Sequence, residues 1–522
     1  MTYPGDVAAL EPDRLAVRVV SAGPEGAVDV TASLSYGELD AMANRFSHVL
    51  RYLGVQVGDH IALVVDNDAI AFPLAWAAVY AGVYFTPVNW RLHPDEIAYV
   101  VEDCEAKVVV VASRLTELAA GLTGVLPDHV VRLSVGGRLD GYDSLDERAV
   151  AAPADPLPNR IEGRFMFYSS GTTGRPKGIV YDMPLTPLGD GSLPGIGRNR
   201  FELSSETRYL CPAPLYHAAG LGWCLEVQRS GGEVVVMTKF DAETMLRTIE
   251  TFRITHAQLV PTMFVRLLRL DPETRAKYDL SSLRLVIHAA APCPVPVKRE
   301  IIDWLGPIVL EYYSGTEGVG STFCTSAEWL ARPGTVGRLD SGQIKICAPD
   351  GSVLPAGEVG AIYFANAGGV PFRYFNDPEK TAASYHTEGW ATLGDIGHVD
   401  EDGWLYITDR KSFVIVSGGV NIYPREIEDV LITHPDVADV AVIGLPDEEY
   451  GQRVHAVVEP MAGVVGDAEL ERQLITWVRD RIAHFKCPRT IDFRATLPRR
   501  PDGKLHKREL VDEYKAAEAG QK

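Results

Sequence analysis

Several features are scarce or missing in this sequence. Its seven cysteines are Cys104, Cys211, Cys224, Cys293, Cys324, Cys347 and Cys487, and no two form a C-x-x-C pair. That removes a redox dithiol or a zinc-knuckle reading and leaves buried free thiols in a reducing compartment. No run of about 18 apolar residues occurs, and the opening MTYPGDVAALEPDR lacks a basic stretch followed by an apolar one. Neither a membrane-spanning helix nor a secretory leader is therefore expected, and the expected location is cytoplasmic. Positive charge is also in short supply: 50 Lys and Arg stand against 70 Asp and Glu, a formal charge of −20. A nonspecific grip on nucleic acid or anionic lipid is disfavoured, and any anionic ligand would need a local basic pocket. No fixed-period repeat runs through the chain.

What is present is ordinary globular composition, with 46% hydrophobic and 23% charged residues over 522 positions. That is too long for one compact core and predicts two or more domains. From Ser35 the segment SYGELDAMANRFSHVLRYLG reads as an amphipathic helix with Glu38 completing a capping box and Gly54 ending it. Strand-like and helical runs then alternate: IALVV, AFPLAWAAVYAG, VYFTPV, a helix from Pro94 to Cys104, and KVVVVA. The rhythm returns with EVVVM, a helix over Ala242 to Phe252, HAQLV and LRLVIHA, which predicts sheets covered by helices. After about Gly334 short strands with turn signals take over, including Asp350-Gly351, and predict a smaller β-rich subdomain. The last hundred or so residues read as a separate α+β unit. The expected fold class is α/β: an N-terminal domain (1–408) of layered αβ subdomains plus the β-rich subdomain, a hinge (409–413), and a small mobile C-terminal domain (414–522).

The most informative segment is Tyr168-Ser-Ser-Gly-Thr-Thr-Gly-Arg-Pro-Lys-Gly178, behind the strand-like RFMFYSS. The hydroxyls of Ser169, Ser170, Thr172 and Thr173, the open backbone at Gly171 and Gly174, and the charge of Lys177 together suit a polyphosphate. An ordinary turn needs only one or two special residues. A Walker A loop is excluded, because Pro176 precedes Lys177 and no helix-forming stretch follows Gly178.

YSSGTTGRPKG resembles the phosphate loop of the adenylate-forming superfamily, which holds acyl- and aryl-CoA synthetases, luciferases and peptide-synthetase adenylation domains. Further motifs follow in that family's order: PLYHAAG (214–220), HAAAP (288–292), EYYSGTEG (311–318), GDIG (394–397), DRKSFVIVSGGVNIYPREIE (409–428) and PRRPDGKLHKREL (498–510). The resemblance, closest in look to bacterial AMP-forming acyl-CoA synthetases, implies that a carboxylate and ATP give acyl-AMP and pyrophosphate, after which a thiol displaces AMP. A carboxylate is already ionised at neutral pH, so the first step calls for charge neutralisation and alignment more than for a base.

On that resemblance, Glu317 is the Mg²⁺ ligand and Thr316 bonds the α-phosphate and the acyl carboxylate. Tyr313 offers a face to adenine, with Ala289, Ala290 and Ala291 opposite. Asp395 accepts the ribose hydroxyls, and Arg410 also reaches the ribose. Lys504 is the catalytic lysine, aimed at the α-phosphate and the attacking oxygen. Ser412 occupies the hinge position, where many relatives carry Lys or Asp. Val416 replaces a lysine found in some relatives, and Asn421 stands where those have glutamine. Ser417, Gly418 and Gly419 would line a pantetheine tunnel, with Arg453 and Lys486 as weaker candidates for the CoA phosphates.

His217 stands where amino-acid-activating relatives carry aspartate, which argues against an α-amino acid substrate. The acid pocket is expected to include His217, Trp223, Ala289 and the stretch from Gly318 to Gly320, and to suit a hydrophobic fatty, aryl or steroid side-chain acid. The segment from 183 to 199 reads as an insertion, either lidding the acid site or running over the surface. The leading expectation is an ATP-, Mg²⁺- and CoA-dependent acid:CoA ligase without nucleic-acid partner or membrane span, with a homodimer left open. Acyl transfer to an amine or a carrier-protein thiol, and a nucleotide-binding regulatory protein with a dead site, are the alternatives.

Overall fold

The computed structural model describes residues 3–169, 176–183, 185–189, 200–291, 293–365, 372–418, 420–499 and 505–519. Within these, the first large sheet has nine strands in the order Arg338–Leu339, Thr322–Thr325, Val309–Tyr313, Leu285–His288, His256–Leu259, Arg208–Cys211, Glu233–Met237, Leu15–Ala22 and Val28–Ser35. The second has six parallel strands, with His60–Val64 between Ala106–Ala112 and Tyr84–Pro87. Both are covered on both faces, as their near-continuous apolar runs require. Adjacent residues divide between two cores: Val17, Val234 and Val236 face one, while Val20, Val235 and Met237 face the other. The same split separates Ile61 and Leu63 from Ala62 and Val64.

The first of these cores lies between the sheets and holds the helices Tyr36–Tyr52, Ala71–Tyr80 and Ala218–Arg229. Ser35 and Glu38 form the capping box anticipated for the first helix. The second helix is buried along its whole length. Its Trp76 Nε1 donates to Gln228 Oε1 at 2.7 Å, which satisfies two polar groups inside the apolar layer.

A four-stranded antiparallel sheet, ordered Gln343–Cys347, Gly360–Ala365, Asp395–Val399 and Leu405–Arg410, forms the β-rich part. Asp350-Gly351 makes a tight turn with Gly351 at φ +88°; just after it Val353 bridges back to Cys347 and the Leu354 N–H donates to the Ile346 carbonyl at 2.7 Å, while the strand before it also pairs along its length with Gly360–Ala365. From Ile415 onward the chain has its own cores. One is built from Ile422, Ile427, Val442, Val458 and Leu474, the other from Ala441, Val457 and Leu510. The molecule is therefore mixed α/β, with a large N-terminal and a small C-terminal domain. All seven cysteines are free and buried, and no helix among the described residues is long and apolar enough to cross a membrane.

One buried cluster braces the strands that carry the site. Lys298, fully buried, pairs with Glu311, whose other oxygen lies 3.4 Å from His288 Nε2. His288 precedes the alanine strip and Glu311 precedes Tyr312-Tyr313. Burial alone would push the Glu311 carboxyl up, but Lys298 and His288 hold it down to about 2. Removing one partner of such a buried pair costs about 3–5 kcal/mol, and Lys298→Met should lose that much in urea unfolding at pH 7. An unfolded glutamate titrates near 4.3, so this contribution is complete above that value and drains away as pH falls toward 2. A pH series of unfolding curves should show that acid slope in the parent chain and its loss in the variant.

Candidate active site

The phosphate-loop sequence is the connection of a hairpin. Strand Phe167–Ser169 pairs antiparallel with Lys177–Tyr181, Ser169 opposite Lys177, and Phe372–Tyr374 adds on the far side with Tyr374 opposite Ile179. Of the loop itself, Ser170, Gly171, Thr172, Thr173 and Gly174 lie outside the described residues, as do Gly419 and Lys504. Both ends of the loop are pinned. Tyr168 Oη donates to Asp103 Oδ2 at 2.6 Å, Tyr99 Oη donates to the Pro176 carbonyl at 3.3 Å, and Lys177 Nζ sits 2.8 Å from Asp377 Oδ2. Gly178 packs against Tyr168 so closely that a Cβ would lie 3.1 Å from its ring.

Thr316, Glu317 and Gly318 follow the sheet strand Val309–Tyr313 and face that hairpin. Tyr181 Oη donates to the Thr316 carbonyl at 2.6 Å, and Tyr374 Oη donates to Glu317 Oε1 at 2.7 Å. Gly315 lets the other oxygen pack close: a Cβ there would stand 2.9 Å from Glu317 Oε2 and 2.4 Å from Leu393 Cδ2. The donor chemistry fits magnesium, which takes one or two protein carboxylates and completes its shell with phosphate oxygens and water. Among the described residues no group of three His, Cys, Asp or Glu side chains could hold a metal by itself. Glu317 would be the protein's contribution to a metal–nucleotide complex.

The residues expected around the nucleoside come together. Tyr313 Oη donates to Asp395 Oδ2 at 2.6 Å, and Arg410 Nε lies 3.2 Å from Asp395 Oδ1. Burial raises the Asp395 carboxyl and Arg410 opposes that shift. Each Asp395 oxygen keeps a lone pair for a further donor. Ala290 is exposed with φ +74°, Ala291 is partly exposed and Ala289 is buried, so the strip presents its second and third residues.

The acid pocket is a more mixed outcome. His217 is the residue just before the helix Ala218–Arg229. Trp223 is packed edge-on against Phe201 at 4.5 Å, and its Nε1 donates to Tyr312 Oη at 3.2 Å. It is therefore core. Val319 likewise belongs to the core with Ile179 and Val336 rather than to a lining. Of the segment from 183 to 199, Pro184 and 190–199 lie outside the described residues.

In the C-terminal domain, Ser417 and Gly418 form one side of a small hairpin (Ile415–Ser417 with Val420–Ile422), in which Asn421 is exposed opposite Val416. Gly418 has φ +57°, and its N–H donates to the Tyr450 carbonyl at 2.9 Å. Lys486 is committed to Glu426, with contacts of 2.8 and 2.7 Å, because both flank the same edge of this domain. Arg453 donates to the Pro446 carbonyl. Arg499 and Leu505 form an antiparallel bridge, with Arg499 paired to Asp439 and Lys507 to Glu428 at 2.7 Å; residues 500–504 lie outside the described residues.

Three residues here were not singled out from the sequence: Tyr374, Asp377 and Lys380. Asp377 caps the helix Pro378–Ala383, and Lys380 Nζ stands 3.9 Å from the Tyr374 ring centre. An Asp-Pro pair before a short helical run signals a helix start, and nothing local says that the helix abuts the phosphate loop.

A nucleotide and carboxylate site of this kind, on a large domain with a small one attached, defines an acid-activating, adenylate-forming enzyme. The chain belongs to the AMP-binding enzyme family: that family's model matches residues 6–371, and the model of the AMP-binding enzyme C-terminal domain matches 426–504. It is similar to the long-chain-fatty-acid–CoA ligase FadD13 of Mycobacterium tuberculosis, with 31% identity over 92% of this chain and 93% of the relative. It is also similar to a feruloyl-CoA synthase of Amycolatopsis, with 33% identity and the same coverage. Among solved structures, the anthranilate CoA ligase AuaEII in complex with anthranoyl-AMP superposes with a TM-score of 0.82, 25% identity, and coverage of 99% of this chain and 98% of that one.

Gly318 tests the geometry directly. Its φ is +56°, and a Cβ would lie 2.4 Å from Tyr181 Oη, the group that holds Thr316. Gly318→Ala should lower stability by about 1–3 kcal/mol and weaken ATP binding, read by thermal unfolding and calorimetric titration.

Proposed function

We propose that this protein is an AMP-forming ligase that activates a hydrophobic carboxylic acid as acyl-AMP and transfers it to coenzyme A. The observation that carries the reading is the meeting of the Lys177 hairpin, Glu317 and the Tyr313–Asp395–Arg410 group around one cleft. In that cleft one end holds polyphosphate and the other holds a ribose. The names of two relatives, a long-chain-fatty-acid–CoA ligase and a feruloyl-CoA synthase, support a substrate with a long or ring-containing apolar body.

The residue roles follow from charge and reach. Lys177 and the loop N–H groups hold the β- and γ-phosphates, and Thr316 orients the α-phosphate beside the acid. Glu317 would hold a magnesium ion through Oε2, and that ion would supply positive charge beside the phosphates. Asp395 and Arg410 anchor the ribose, and Ala290 and Ala291 allow adenine to lie flat. Lys504 supplies a cation where negative charge concentrates on the α-phosphate and the attacking oxygen. The carboxylate oxygen attacks the α-phosphorus, the bond to the bridging oxygen breaks, and pyrophosphate leaves. The acceptor thiolate then attacks the acyl carbon and expels AMP.

The two half-reactions use one cleft with different groups over it, so the C-terminal domain (414–522) turns about residues 409–413 between them. Ser412 is the pivot, and its small side chain leaves the backbone free to change. Ser417, Gly418 and Gly419 line the path of the pantetheine arm. Lys486 is not assigned to the CoA phosphates, since Glu426 holds it. The location is cytoplasmic, in keeping with an acceptor thiol kept reduced there.

Pyrophosphate exchange and product mass spectra should be measured across fatty, aryl and steroid side-chain acids. Hydrophobic acids should support exchange and yield acyl-CoA only when CoA is present, whereas amide formation with an added amine in its absence would favour the amide-synthetase alternative. Lys504→Ala should lower the adenylation rate by about 10² to 10³. Full turnover in that variant would overturn its assignment.

A further inference from the structure

The short unit from Phe372 to Ala383 has no part in the chemistry set out above, yet it touches both halves of the phosphate site. Its strand pairs with Lys177–Tyr181, with Tyr374 opposite Ile179, and the Phe375 N–H donates to the Gly178 carbonyl at 2.8 Å. The Tyr374 N–H donates to Thr381 Oγ1 at 2.9 Å, which ties the strand to the helix that follows. The Tyr374 side chain is buried, with 7% of the residue exposed, and is flanked by Phe372 edge-on at 5.4 Å and by the Lys380 ammonium over its ring. Held on these sides, the hydroxyl reaches one acceptor on the opposite wall, Glu317 Oε1 at 2.7 Å.

A charge-assisted hydrogen bond to one carboxylate oxygen restricts the rotation of the group and so narrows where its second oxygen can stand. Here that second oxygen, Oε2, is the one packed over Gly315, where a Cβ would come within 2.9 Å of it. Resting on the assignment of Glu317 as the metal ligand, we propose that Tyr374 is a positioning residue that registers the metal-binding carboxylate to the strand ending the phosphate loop. Without it, Glu317 would be attached only to its own loop, and metal and phosphates would be placed by two independently moving pieces of chain. Lys380 steadies the ring from its face and adds positive charge near the same phosphates.

The test uses the full-length protein and calorimetric titration with ATP, with Mg²⁺ present or replaced by EDTA, so that the ratio of the two affinities isolates the metal. Tyr374→Phe keeps the ring and removes only the hydroxyl. It should leave ATP affinity in EDTA unchanged and cut the magnesium-linked gain about tenfold, the size of one lost charge-assisted hydrogen bond. Glu317→Gln should abolish that gain, and an unchanged gain in Glu317→Gln would remove the metal assignment itself. A lost gain in Glu317→Gln beside an unchanged one in Tyr374→Phe would overturn the positioning role alone. Should Tyr374→Phe fail to fold, the half-exposed Lys380→Met carries the test. It should weaken ATP binding in EDTA and also reduce the magnesium-linked gain two- to threefold, and an unchanged gain there would overturn the proposal.

Discussion

One buried carboxylate holds the cleft together. Asp395 begins a strand of the β-rich sheet, Tyr313 ends a strand of the nine-stranded sheet, and Arg410 is the last residue of the strand that leads to the C-terminal domain. A carboxylate out of water is tolerable only if its oxygens are bonded and its charge is opposed. The chain meets that demand with one phenol and one guanidinium drawn from two other segments. On the proposed assignment of Asp395 to the ribose, the nucleotide anchor is also the joint between subdomains, and nucleotide binding would act on the same groups that keep the cleft assembled.

The electrostatic setting is unusual for a protein whose substrates are anions. The chain carries −20 overall, so attraction for ATP must come from groups a few ångströms away, within reach that salt does not fully screen. On the proposed reading, Lys177, Lys380 and Arg410 would supply it among the described residues. Two of them are already matched by acids, Lys177 with Asp377 and Arg410 with Asp395. Such pairs keep cations ordered at small cost, and phosphate oxygens could exchange for the carboxylates without long side chains having to be caught from solvent.

Much of this was legible in the sequence, for a definite reason. Strand and helix alternation marked the two large sheets because their strands are buried on both faces and read as unbroken apolar runs. The helix from Tyr36 announced itself through its capping box, and the nucleotide residues lie in contiguous motifs, so Tyr313, Thr316 and Glu317 could be read together. What could not be read depends on strand order. Tyr374 and Lys380 matter because the strand Phe372–Tyr374 pairs beside Lys177–Tyr181, a neighbour far away in sequence, and no local pattern encodes that choice. Burial sorted other expectations: Ala289 and Val319 turned inward, Trp223 joined an aromatic core, and Lys486 took a carboxylate partner instead of facing solvent. Asp350-Gly351 is a true turn that closes a short antiparallel bridge, Cys347 to Val353, while the longer pairing of the preceding strand is with Gly360–Ala365, because turn chemistry specifies a local bend and not every strand partner.

The seven enclosed thiols acquire a meaning from the chemistry. An acyl-adenylate is an acylating agent that any accessible thiolate would intercept, so an enzyme that makes one in the presence of its own cysteines risks modifying itself. Burial pushes the thiols of Cys104 and Cys324 up to about 12, and Cys224 and Cys293 are shifted in the same direction by the same cause. At neutral pH these sulfurs stay protonated and out of reach. The packing that stabilises the two domains thus also acts as chemical insulation, reserving the activated acyl group for a nucleophile arriving from outside.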